Sequence, residues 1–160
     1  LEEIMADYRP RGMYFEEFTE GIEVVTQGRT ITEADIVNFA GVSGDYNAIH
    51  TDAEFSKATP FGERIAHGLL GLAVATGLGM QLGFLDGTVL AFTGLEWKFK
   101  APIKIGDTIR MTAKVKQTKE MKSLNGGLVV FEARVLNQRN EVCQQGEWTI
   151  LVKSKNIKEE

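Results

Sequence analysis

The sequence predicts an α+β domain in which one long buried helix is wrapped by a curved antiparallel sheet. Two observations carry this. Residues 68 to 85 run for 18 positions without a formal charge and yet hold five glycines (68, 71, 77, 79 and 83). The second half of the chain then holds four stretches in which apolar and polar residues alternate. Alternation with one apolar face describes an antiparallel sheet that covers something on one side. The uncharged segment is the element it covers.

Each element has its own signal. Thr32-Glu33-Ala34-Asp35 fits a capping box, and Ile36, Val37, Phe39 and Ala40 follow at helical spacing, with Gly41 or Gly44 able to end the helix. Thr51-Asp52-Ala53-Glu54 offers a second capping box, with Phe55 and Ala58 on its apolar side. Between the two lies a polar loop, Gly44 to His50, a setting suited to chemistry. In the segment from Gly68 to Leu85, Gly71, Ala75 and Gly79 recur every fourth residue and form a narrow helix face. Interior glycines cost about 1 kcal/mol each relative to alanine, and close approach of the sheet offsets that loss. The four strands centre on Leu95, Trp97 and Phe99; on Ile109, Met111, Ala113 and Val115; on Val129, Phe131, Ala133 and Val135; and on Val142, Gly146, Trp148, Ile150 and Val152. Gly94 is a candidate bulge, and Gln144 interrupts the apolar parity of the last strand. A central helix wrapped in this way is the hot-dog architecture.

The bulk properties narrow the function classes. At 160 residues, 43% hydrophobic and 25% charged, the chain reads as one domain (1–160, with a core of about 14–153). A net charge of -4 without a basic patch argues against a nucleic-acid partner. The 18-residue uncharged segment touches the lower bound for a membrane span. Its glycines, Thr76, Gln81 and lack of a flanking basic cluster argue for a buried helix and no membrane insertion. Cys143 is the only cysteine, so no intrachain disulfide forms and a reducing, cytoplasmic location is expected. Leu1 to Met5 lack the features of a signal peptide, and Lys153 to Glu160 are expected to fray.

Chemistry concentrates in two places. The two histidines, His50 and His67, lack zinc-motif spacing, and no phosphate-binding glycine loop or nucleophile elbow occurs, so no metal or redox cofactor is expected. Asp45 and His50, five residues apart on one loop, can converge on a single water and exchange protons with it near neutral pH. Ala66-His67-Gly68 opens the central helix, where unpaired backbone N–H groups can face an oxyanion and a glycine lets a carbonyl come close. The same loop residues also suit a plain turn or cap, and Cys143 on a strand suits packing.

The segment Ser43-Gly44-Asp45-Tyr46-Asn47-Ala48-Ile49-His50-Thr51-Asp52 closely resembles the hydratase-2 motif of MaoC-like, (R)-specific enoyl-CoA hydratases. So do Phe55, Phe61-Gly62 and Ile65-Ala66-His67-Gly68-Leu69, and the resemblance runs from about Tyr14 to Val152. It implies Asp45 and His50 as the catalytic pair and the Gly68 N–H as the oxyanion donor. Asn47 and His67 become supporting residues. Two departures stand out: Ala48 where the family often has proline, and Thr76 where some members place a pocket serine. The implied reaction is reversible addition of water to a trans-2-enoyl thioester, giving the (R)-3-hydroxyacyl product, with coenzyme A entering only as part of the substrate. A homodimer, with sheets paired edge to edge, is implied too. Lys98, Lys100 and Lys104 are candidates for coenzyme A phosphates, or simply a solvated basic strand. The alternatives are a hot-dog thioesterase, which commonly carries a carboxylate on the central helix where this chain has none, and a non-catalytic acyl-thioester binding module.

Overall fold

Alternation in the second half of the chain is realised as four long antiparallel strands. The computed structural model describes residues 11–155. The sequence readings at Leu1–Met5 and beyond Lys155 lie outside them. In chain order the elements are β1 (Glu23–Val25), β2 (Arg29–Thr30), α1 (Glu33–Ser43), α2 (Ala48–Thr51), α3 (Ala53–Lys57), α4 (Gly68–Gln81), β3 (Val89–Phe99), β4 (Thr108–Met121), β5 (Gly126–Leu136) and β6 (Val142–Lys153). Short 3-10 turns occupy Phe15–Glu17 and Lys122–Leu124. The sheet runs β1-β4-β5-β6-β3, with β2 also pairing with β4. This is the predicted hot-dog arrangement.

The helix-facing side of the sheet is built from the predicted parities. Ile109, Met111, Ala113 and Val115 of β4 and Val129, Phe131, Ala133 and Val135 of β5 are all buried, as are Trp148, Ile150 and Val152 of β6. Helix α4 lies against them through its narrow face. Ala75 is fully buried, a Cβ at Gly79 would stand 2.8 Å from the Met111 methyl, and one at Gly71 would meet Gln144 and Ile103. The interior glycines therefore set how closely helix and sheet approach.

Several details differ from the sequence reading. Helix α4 ends at Gln81 rather than Leu85, because Gly83 adopts a left-handed φ of 78° and turns the chain. The second helix start is capped by Asp52, whose carboxylate accepts from the Phe55 N–H, and not by Thr51, which closes the preceding helical turn. Strands β1 and β2 were not anticipated: at three and two residues they are too short to show a period. Lys153 and the two residues after it do not fray. Lys153 ends β6, the Ser154 N–H donates to Asn125 O, and the Lys155 N–H donates to Glu16. The bulge expected near Gly94 is present, between Phe92 and Gly94. Strand β3 pairs with β6 alone, and Leu95 and Phe99 remain exposed on it. No helix among the described residues is long and apolar enough to cross a membrane.

Candidate active site

The loop after α1 is shaped by short-range hydrogen bonds that its sequence dictates. Gly44 takes the left-handed C-cap conformation (φ 74°) and ends the helix. Asp45 then makes an Asx-type turn in which its Oδ1 accepts from the Asn47 N–H at 3.1 Å. Asn47 in turn caps α2, its side-chain oxygen accepting from the Ile49 N–H at 3.3 Å. The segment read as loop is therefore partly helical, since residues 48–51 form the single turn that carries His50. Ala48 occupies the first position of that turn, the helical position that also suits proline. The departure from the family pattern falls at a position where the helical turn forms with alanine.

His50 is buried and its Nδ1 lies 2.7 Å from the Ile65 carbonyl oxygen. A carbonyl only accepts, so Nδ1 carries a proton, and Nε2 is the ring nitrogen left to accept or give one. That Nε2 stands 4.0 Å from Asp45 Oδ2. The separation is too long for a direct hydrogen bond. A water about 2.8 Å from both atoms fits between them, with an angle of roughly 90° at its oxygen. Asp45 is half exposed while His50 is buried, so the pair stands at the boundary between solvent and interior.

His67 ties the rest together. Its ring stacks on His50 with centroids 3.9 Å apart, and the Phe39 ring packs against it, tilted, at 5.0 Å. Its Nε2–H donates to the Asp45 carbonyl oxygen at 2.9 Å. As N-cap of α4 it also precedes Gly68, whose N–H is one of the helix's orphan donors and has no acceptor among the described residues. Gly68 opens onto a cleft of about 660 Å³ whose wall includes His50, Ile49, Phe61, Leu69, Phe99 and Gln144. The Phe99 ring packs where a Cβ on Gly68 would project, at 2.7 Å.

Asp45, His50, His67 and Gly68 are thus brought together, with Asn47 holding the loop. Thr76 is not brought to the cleft. It lies two turns further along α4, and its hydroxyl donates back to Ala73 O at 2.7 Å. Of the three lysines, Lys100 lines the cleft, Lys104 is tied to Glu63 and the Phe61 carbonyl, and Lys98 lies in a groove with Glu132 and Glu147. Cys143 is fully buried, and burial, with Glu141 and Asp107 nearby, pushes its thiol up and away from the reactive thiolate. Gln144 was passed over in the sequence as an irregularity of β6. The signal was there: a polar residue on the buried parity of a strand needs partners, and Gln144 finds them in Trp97 and Gly68.

Could this cluster hold a metal ion? Asp45, His50 and His67 each bring a ligating atom within 4.8 Å of the others. The two rings are stacked at an interplanar angle of 26°, so their in-plane lone pairs run side by side and do not converge on one point. His50 Nδ1 and His67 Nε2 are committed to carbonyl oxygens, which leaves His50 Nε2 and the buried, unpartnered His67 Nδ1 as the nitrogens such an ion would need. The geometry suits a shared water better than a cation.

The profile of a family described as "MaoC like domain" matches residues 17–135. Protein MaoC of Klebsiella aerogenes is 43% identical over 71% of this chain, and the chain spans only 34% of that protein's length. An (R)-specific enoyl-CoA hydratase of Rhodospirillum rubrum is 39% identical over 64% of this chain and 69% of its own. Among solved structures, the monoamine oxidase regulatory protein from Archaeoglobus fulgius superposes with a TM-score of 0.85 at 35% identity, covering 91% of this chain and 97% of that one.

Proposed function

The chain belongs to the MaoC-like domain family, and on that premise we propose that it is an acyl-thioester hydro-lyase, adding water reversibly to a trans-2-enoyl-CoA to give the (R)-3-hydroxyacyl-CoA. One observation carries the reading: an ionisable carboxylate and the free ring nitrogen of a histidine face each other across a water-sized gap, beside an unpaired helix N-terminal N–H. A water that donates one hydrogen to Asp45 and the other to His50 turns its own lone pair outward, toward the substrate β-carbon. As the new C–O bond forms, one of the two groups takes the proton and the π electrons move toward the thioester oxygen. The Gly68 N–H and the positive end of the α4 dipole meet that charge. The proton then returns to the α-carbon, so atoms and charge balance with no further reactant. The hydratase of Rhodospirillum rubrum supports the same chemistry by its name.

Two companion proposals follow. Lys100, at the cleft wall, is the lysine best placed for a coenzyme A phosphate. The exposed apolar edge of β3 is suited to a second copy of the chain, making a homodimer. A thioesterase is disfavoured because α4 carries no carboxylate. The test is incubation with crotonyl-CoA without added metal, followed at the absorbance of the conjugated double bond, with chiral analysis of the product. The expected result is the (R)-alcohol. An (S) product, or free coenzyme A released as fast as substrate disappears, would contradict the proposal.

A further inference from the structure

We propose that Gln144 is a second hydrogen-bond donor to the thioester carbonyl, acting beside the Gly68 N–H; this rests on the hydratase reading above. Gln144 sits on the core-facing parity of β6 and is 2% exposed, an unusual place for a carboxamide. Its orientation follows from its partners. The Trp97 indole N–H can only donate, and it meets Oε1 at 2.9 Å. The Gly68 carbonyl can only accept, and it meets Nε2 at 2.9 Å. An amide nitrogen carries two hydrogens. One goes to Gly68, and the second has no acceptor among the described residues, although the side chain forms part of the cleft wall.

Gln144 Nε2 thus has one partner and a second hydrogen to spare, at a residue that lines the cleft. Here the surroundings are arranged to accommodate it. A Cβ at Gly71 would lie 2.4 Å from Gln144 Nε2, so the glycine at the end of the first turn of α4 makes room for the amide. Two local rules are broken at one place: a polar residue faces the core, and a glycine stands inside a helix. Such coincidences mark functional sites. The ligand that fits is an acceptor oxygen reaching the first turn of α4. In the proposed reaction that oxygen is the thioester carbonyl, which gains negative charge as water adds to the β-carbon. Gln144 gives and takes no proton; it donates a hydrogen bond that strengthens as the charge develops, as Gly68 does.

Three variants test this: Gln144→Met, which keeps the bulk and removes the donor; Gln144→Glu, which keeps an acceptor for Trp97 and removes the donor; and Gln144→Met with Trp97→Phe, which leaves no indole N–H stranded. Circular dichroism reports folding. With crotonyl-CoA, kcat is expected to fall about 10²-fold with KM little changed, as for loss of one oxyanion donor. Gln144→Glu should be slower than Gln144→Met, because it sets a second acceptor against the carbonyl. An independent readout is the infrared carbonyl band of ¹³C-labelled crotonyl-CoA bound to Asp45→Asn, which should move back toward its free frequency when Gln144→Met is added. Wild-type turnover in folded Gln144→Met, recovery of activity in Gln144→Glu or in the double variant, or an unmoved carbonyl band would overturn the inference alone. A wild-type chain that does not hydrate enoyl-CoA at all would instead remove the reading on which it rests.

Discussion

At the scale of residues, the site depends on side chains whose hydrogen bonds leave one atom free for chemistry. His50 spends Nδ1 on the Ile65 carbonyl and keeps Nε2; Asp45 spends Oδ1 on the Asn47 N–H and keeps Oδ2. His67 acts through them, holding the Asp45 backbone and stacking on His50. His67→Phe keeps an aromatic ring on His50 but loses the hydrogen bond to Asp45. Its kcat is expected to drop about tenfold with melting temperature nearly unchanged, a modest effect for a residue that positions the general acid–base groups without being one. His67→Gln, which can still donate to that carbonyl, should recover part of the loss. Equal loss in both variants, tracking the fraction folded, would assign His67 to packing only. That Asp45 and His50 lie together was legible in the sequence because a close family motif surrounds them. Gln144 showed only as a polar residue on a buried parity; its partners Trp97 and Gly68 are 47 and 76 residues away along the chain, and only the fold brings them together.

At the scale of elements, local signals worked where they were long or chemically specific. The capping box at Thr32 forms as read: Asp35 Oδ2 accepts from the Thr32 N–H at 2.8 Å, and the Asp35 N–H donates to the Thr32 hydroxyl. Short elements escaped, because the two- and three-residue strands and the four-residue turn carrying His50 offer too few positions for a period to show. The cap also makes a pH prediction. Burial pushes the Asp35 carboxyl up, but hydrogen bonds from the Thr32 N–H and hydroxyl and the Arg29 guanidinium outweigh it and hold the group below its ordinary value. A depressed carboxyl contributes stability that is fully present above its unfolded value of about 3.9 and is lost as the pH falls through its folded value. Asp35→Ala should therefore cost about 1 kcal/mol at neutral pH, typical of a lost cap. Its deficit relative to wild type should shrink as the pH drops below about 4. Thermal melts at both pH values decide this; a deficit that stays constant would show that the carboxylate charge contributes nothing.

At the scale of the whole molecule, the predicted wrapping of α4 by the sheet holds because strand parity and helix glycines agree: each apolar side faces the other. Among the described residues, β3 carries a run of apolar side chains that the chain itself does not cover. Val89, Leu90, Phe92, Leu95 and Phe99 are all more than 40% exposed along an edge that pairs on one side only. A long apolar edge is a template for strand pairing, and this one borders the cleft through Phe99. Light scattering is expected to give twice the chain mass. Leu95→Lys, a charge at the pairing edge, should shift the protein toward monomer; a wild-type monomer at assay concentration would refute the edge-pairing proposal.

The central claim is that Asp45 and His50 work as a unit on one water. The most direct measurement is turnover of crotonyl-CoA by Asp45→Asn, His50→Gln and the double variant, with circular dichroism on each. General acid–base groups contribute about 10²–10⁴-fold, so each single change should lower kcat by at least that order while the fold is kept. Because both groups serve the same water, the double variant should be only slightly slower than the worse single one, far from the product of the two losses. A folded single variant with near-normal turnover, or two losses that multiply, would contradict the shared-water dyad.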